Sequence, residues 1–136
     1  MKNIGKLAVD ANPILSAIIG GKALKIFLQR KIEFYTTDFT MTEVQRYIPY
    51  FSKRKNIPEV LLQLTLMTLP VNVFDKDVYR DTLSKANEIM GKRDPNDVHL
   101  LALALKFGIP LWSNDKDFER AEIEIFTTEG LLKLMG

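Results

Sequence analysis

"GKRDPNDVHLLALALKFGIPLWSNDKDF", residues 91–118, is the stretch on which the reading of the fold turns. It sets Asp94 and Asp97 at one end of an apolar run and Asp115 and Asp117 at the other. Asp94 before Pro95 has the form of a helix start, with Asp as N-cap and Pro at the first helical position. Steps of three or four residues from Asp97 reach Leu101, Ala104, Leu105 and Gly108, so this carboxylate heads the apolar stripe of a helix over 97–107. Ile109 to Trp112 reads as a strand, and Ser113 to Phe118 as a polar turn. A helix that leads directly into a short apolar strand is the repeating unit of an α/β protein.

The same alternation extends outward in both directions. Leu7 to Val9, Ile32 to Thr36, Val71 to Phe74 and Ile123 to Phe126 read as further strands. Helical spacing of apolar residues covers 14–19 with 23–28, 42–51, 60–69, 78–90 and 131–135. The expectation is an α/β fold of three layers, with a central, mainly parallel sheet reached through right-handed crossovers. At 136 residues the chain has the size of one domain, 1–136, with no repeat, linker or low-complexity tract.

Composition narrows the function classes. Hydrophobic residues at 46% and charged residues at 26% exclude a disordered chain. The net charge of +2 gives no global basic field, so phosphate contacts would have to be local, at Lys53 to Lys55 or at Lys92 and Arg93. With no cysteine, disulfides, thiolate zinc sites and cysteine nucleophiles are excluded, as fits a reducing interior. The first residues break their apolar run with Asp10, Asn12 and Pro13, the pattern of neither a signal peptide nor a membrane span. A cytoplasmic protein without a membrane partner is expected.

In an open parallel sheet, ligands sit at the carboxyl ends of the strands. Asp10 ends the first strand run, and Asp115 and Asp117 follow the fourth. Glu43 lies in the helix after the second strand, where Thr40-Met41-Thr42-Glu43 also has capping-box spacing. Each acid has an ordinary structural reading as a cap or turn residue, but five such residues converge on one edge. Two carboxylates ~5 Å apart repel by roughly 3 kcal/mol at an effective dielectric near 20, so a cation has to hold them. Oxygen ligands without Cys or His select a hard ion, Mg²⁺ or Mn²⁺, which can activate water and stabilise charge on a phosphodiester.

These residues, in this order, resemble the PIN domain family of ribonucleases, from Leu7 to about Thr128. Val9-Asp10-Ala11-Asn12-Pro13 looks like the family's first motif and Thr42-Glu43-Val44 its second. Asp94-Pro95-Asn96-Asp97 looks like the third, with Asp97 as the site acid, and Asp94 matches an acid found in part of the family. Ser113-Asn114-Asp115-Lys116-Asp117-Phe118 looks like the fourth, in which two alignments compete for Asp115 or Asp117.

The resemblance implies a Mg²⁺ or Mn²⁺ dependent endoribonuclease, commonly the toxin of a toxin-antitoxin pair and commonly a homodimer. Asp10, Glu43, Asp97 and one of Asp115 and Asp117 would hold one or two ions, with Asn12 and Ser113 orienting them. Arg93 and Lys116, and the Lys53 to Lys55 cluster, would receive the RNA backbone, and the attacking group would be a water rather than a side chain. An inactive relative serving as an RNA-binding or scaffold module is the alternative. A phosphatase of the haloacid dehalogenase type is disfavoured because Asn12 stands where that family places a second Asp. Gly20-Gly21-Lys22 lacks the spacing of a phosphate loop, and His99, turned away from the Asp97 face, reads as a packing residue.

Overall fold

The computed structural model of the chain describes residues 4–91 and 95–136. Five strands, β1 (Lys6–Val9), β2 (Glu33–Thr37), β3 (Val71–Phe74), β4 (Leu111–Trp112) and β5 (Ile125–Phe126), form one sheet. Their order is β3-β2-β1-β4-β5, and every neighbouring pair is parallel. The helices are α1 (Ala11–Ile18), α2 (Ala23–Phe27), α3 (Asp38–Lys55), α4 (Glu59–Thr68), α5 (Lys76–Tyr79), α6 (Leu83–Met90), α7 (Pro95–Phe107) and α8 (Thr128–Met135).

A strand covered on both faces has no polar side to present, which is why Leu7 to Val9 of β1 form an unbroken apolar run. Leu7 and Val9 point into one core with α1, α2, α3, α4 and α8, where Phe27, Phe34 and Trp112 meet. Ala8 points the other way, into a second core with Leu111, Tyr79, Phe118 and the buried face of α7. The helices thus divide between the two faces of the sheet, giving the expected three-layer α/β architecture. Among the described residues no helix is long and apolar enough to cross a membrane.

At three places the elements differ in extent from the periodicity. The fourth and fifth strands pair over two residues each. Pro110 has no N–H to donate, so it enters the ladder only through its carbonyl, which accepts from Ala8 N at 3.0 Å. The helix expected over 78–90 is broken into α5, a 3₁₀ turn (Arg80–Thr82) and α6. Thr82 lies at that break, and its hydroxyl meets the carbonyls of Tyr79 at 3.0 Å and Ala102 at 2.7 Å, an alternative to regular helical bonding. The third difference concerns Glu43: α3 begins at Asp38, capped by the Thr37 hydroxyl, which accepts from Thr40 N at 2.9 Å. The Thr40 to Glu43 capping box is therefore not formed, and Glu43 stands in the second turn of an established helix.

The packing makes a direct stability prediction. Phe34 is fully buried between Phe27 and Trp112, whereas Met67 is 80% exposed. Urea denaturation should show Phe34→Ala losing about 3–5 kcal/mol and Met67→Ala less than about 0.5 kcal/mol.

Candidate functional site

The strand order reverses at β1. The chain steps from β1 to β2 to β3 in one direction, then returns to place β4 on the other flank of β1. Helices leaving neighbouring strands at such a point cover opposite faces and leave a crevice at the carboxyl ends. A cleft of about 290 Å³ lies here, lined by Asp10, Asn12, Glu43, Asp97, Asn114 and Asp115.

Each acid arrives by a different local device. Asp10 follows β1 and caps α1, its Oδ1 accepting from Ala11 N at 2.8 Å. Its Oδ2 accepts from the Ser113 hydroxyl at 2.7 Å, and the same Ser113 oxygen accepts from Asp115 N at 3.0 Å. One buried hydroxyl thus ties the ends of β1 and β4 together. Asp115 caps the following 3₁₀ turn (Lys116–Arg120), with Oδ1 accepting from Asp117 N at 2.9 Å. Asp97 stands in the first turn of α7. Glu43 comes from α3, and its Oε1 accepts from Asn96 Nδ2 at 2.6 Å.

Asp97, Asp115 and Asp117 each offer one carboxylate oxygen within 4.8 Å of the other two. Opposite oxygens of an octahedral Mg²⁺ site lie about 4.2 Å apart, so small side-chain rotations bring the three into ligating range. The donor set is all oxygen, and the only histidine is turned toward a different cluster, so these residues fit a hard divalent ion and not zinc. Both candidates from the fourth motif therefore face Asp97, and Asp10 and Glu43 border the same cleft.

The remaining expected residues are distributed less tightly. Asn12 lines the cleft, but its Oδ1 accepts from Asn114 Nδ2 at 2.9 Å. Lys116 is exposed on the turn after Asp115. Asp94 and Arg93 lie outside the described residues. Lys53, Arg54 and Lys55 occupy the last turn of α3, where cations favour the helix dipole. Lys53 is ten residues beyond Glu43, about 15 Å along the helix axis, so the cluster does not border the cleft.

Two participants escaped the pattern of charges. Asn96 holds Glu43, and Asn114 links Asn12 to the start of α8 through Thr128, whose N donates to Asn114 Oδ1 at 2.9 Å. Both sit inside quoted motifs, but a neutral amide carries neither periodicity nor charge to mark it. His99 packs as expected: its ring stacks on Phe39 at 3.7 Å between centroids, and Nδ1 lies 2.7 Å from the hydroxyl of Tyr79. Burial and the nearby Lys76 hold its pKa below the usual histidine value. Burial and the charge of Asp38 push the Tyr79 hydroxyl far above the usual tyrosine range.

The family model of the PIN domain matches residues 8–134. The chain belongs to the PIN domain family. No protein of curated function matches it at a significant level. Among solved structures it is similar to the complex VapBC2 from Rickettsia felis bound to a DNA fragment from its promoter, at 15% identity and TM-score 0.64, covering 90% of this chain and 98% of that one. A toxin-antitoxin complex from Klebsiella pneumoniae is similar at 18% identity and TM-score 0.64, with coverage of 90% and 97%. VapC20 of Mycobacterium tuberculosis, a toxin that cleaves the sarcin-ricin loop, is similar at 18% identity and TM-score 0.57, with coverage of 86% and 95%. At these identities the likeness is one of fold.

Three carboxylate oxygens this close make room for a divalent ion between them. The measurement is urea denaturation of the native protein and of Asp97→Asn, each in EDTA and in Mn²⁺. Added Mn²⁺ should stabilise the native protein and leave the variant nearly unchanged.

Proposed function

We propose that the chain is a Mg²⁺ or Mn²⁺ dependent endoribonuclease that hydrolyses RNA phosphodiester bonds in the cytoplasm, as the toxin of a toxin-antitoxin pair. The observation that carries this reading is the convergence of Asp10, Glu43, Asp97 and Asp115 on one cleft, with Asp117 joining Asp97 and Asp115 in a triad of oxygens. Membership of the PIN domain family supports nuclease chemistry. RNA as substrate is supported by the Mycobacterium toxin, and an antitoxin partner by the Rickettsia and Klebsiella complexes.

Asp97, Asp115 and Asp117 would hold the ion, with Asp10 and Glu43 beside it. A divalent ion bound there supplies Lewis-acid stabilisation of phosphate charge and lowers the pKa of water. The chain's own contribution is orientation. Ser113 holds Asp10 Oδ2 and the Asp115 backbone in a fixed relation, and Asn96 holds Glu43, so the carboxylates are set before substrate arrives. Without a cation between them, the same acids would repel the phosphate they are meant to receive.

The exposed apolar residues Tyr47 and Tyr50 of α3, with Leu61 and Leu64 of α4, supply surface for a homodimer or for the antitoxin to cover.

The test is incubation of the purified protein with single-stranded and structured RNAs in Mn²⁺, Mg²⁺ or EDTA. Cutting should require the metal and fall in Asp97→Asn by more than the roughly 10- to 100-fold that loss of a ligand's hydrogen-bond partner costs. Equal, negligible cutting by both proteins would favour an inactive RNA-binding or scaffold module instead.

A further inference from the structure

A second cavity, of about 320 Å³, lies beside the acidic cleft, lined by Asp38, Phe39, Thr42, Arg46 and Asn96. Phe39, Thr42 and Arg46 recur at intervals of three and four residues and so share one face of α3. Glu43 adjoins them on the same side of α3, about 40° round from Phe39, and lines the acidic cleft. Asn96 lines the second cavity and donates to Glu43 at 2.6 Å, so the two cavities share a wall.

Phe39 is a large apolar side chain left 36% exposed at this wall. It is held firmly from behind: the His99 ring lies against it, 3.7 Å away with planes 15° apart. His99 is in turn bonded to the hydroxyl of Tyr79, whose side chain is fully buried in the second core. Arg46 makes no hydrogen bond or ion pair among the described residues. A braced and partly exposed ring, a cation, and short polar side chains are together the requirements of an unpaired base, which needs a stacking face, a partner for its phosphate and groups to meet its edge.

We infer that this second cavity is a nucleobase subsite, in which one unpaired base of a single-stranded RNA stacks on Phe39 beside the phosphodiester held at the carboxylates. Arg46 faces the adjoining phosphate, and Asp38, Thr42 and Asn96 face the base edge. Asp38 accepts hydrogen bonds without donating them, so the subsite favours a base edge that carries N–H groups. The RNA ligand rests on the nuclease reading above, while the stacking platform rests on the cavity itself.

The single histidine makes the inference testable by NMR, because the His99 ring protons report on the far side of the Phe39 stack. The full chain, without an affinity tag, is titrated with a mixed-sequence RNA hexamer in EDTA and again in Ca²⁺, with a duplex of equal length alongside. The hexamer should shift the His99 signals saturably and the duplex should not. Phe39→Leu should weaken hexamer binding about tenfold and Phe39→Tyr should preserve it. Arg46→Gln should lower the salt slope of binding by about 0.7.

Hexamer binding that leaves His99 unmoved and is equal in Phe39→Leu would overturn the subsite, as would no binding in either medium. If the hexamer shifts His99 but the wild type cuts no RNA in Mn²⁺, the nuclease reading fails and the subsite stands. If cutting in Mn²⁺ persists with unchanged KM and unchanged cut sites in Phe39→Leu, the subsite fails and the nuclease stands.

Discussion

Pairing of β1 with β4 is the constraint on which the cleft depends. Asp10 N donates to Trp112 O at 3.0 Å, the bond that brings the end of one strand level with the end of the other. From that register, Ser113 falls beside Asp10 and Asp115 one turn further on. The order β3-β2-β1-β4-β5 then decides which helices flank the opening, and α3 and α7, whose apolar faces belong to different cores, meet there through Glu43 and Asn96. One backbone ladder and two helices thus carry most of the geometry. A single hydroxyl and a single amide complete it.

Placing several carboxylates together opposes stability. At the separations seen here each pair repels by between ~1 and ~3 kcal/mol as the surroundings run from water-like to protein-like. The chain moderates this with local donors: Ala11 N and Ser113 for Asp10, Asp117 N for Asp115, and Asn96 for Glu43. These bonds fix the oxygens without neutralising them. A well-packed core on each face of the sheet offsets the repulsion.

Much of this was legible in the sequence, and the limits follow from physics. Leu7-Ala8-Val9 announces a doubly buried strand because both faces must be apolar. The phase of Asp97 against Leu101 and Ala104 places it at the head of a buried stripe, and both of those residues are buried. The short lengths of β4 and β5 were not legible, since pairing depends on neighbours and Pro110 interrupts donation without changing the apolar pattern. The break at Thr82 depends on a carbonyl of α7 twenty residues away. Asn96 and Asn114 act through contacts that no spacing rule encodes, and the Phe39 and His99 stack joins two helices whose separate periods give no hint of it.

The hydroxyl bond between Ser113 and Asp10 spans 103 positions of the chain. Bonds of such range form only after the intervening segments have closed a long loop, which places them among the slower events of folding. During synthesis the first strand, with its aspartate, leaves the ribosome long before β4 exists to meet it. The carboxylate constellation therefore waits for β4, and a translation product ending between residues 97 and 110 carries Asp10, Glu43 and Asp97 without the strand that assembles them. The fold itself delays the moment at which the site comes into being.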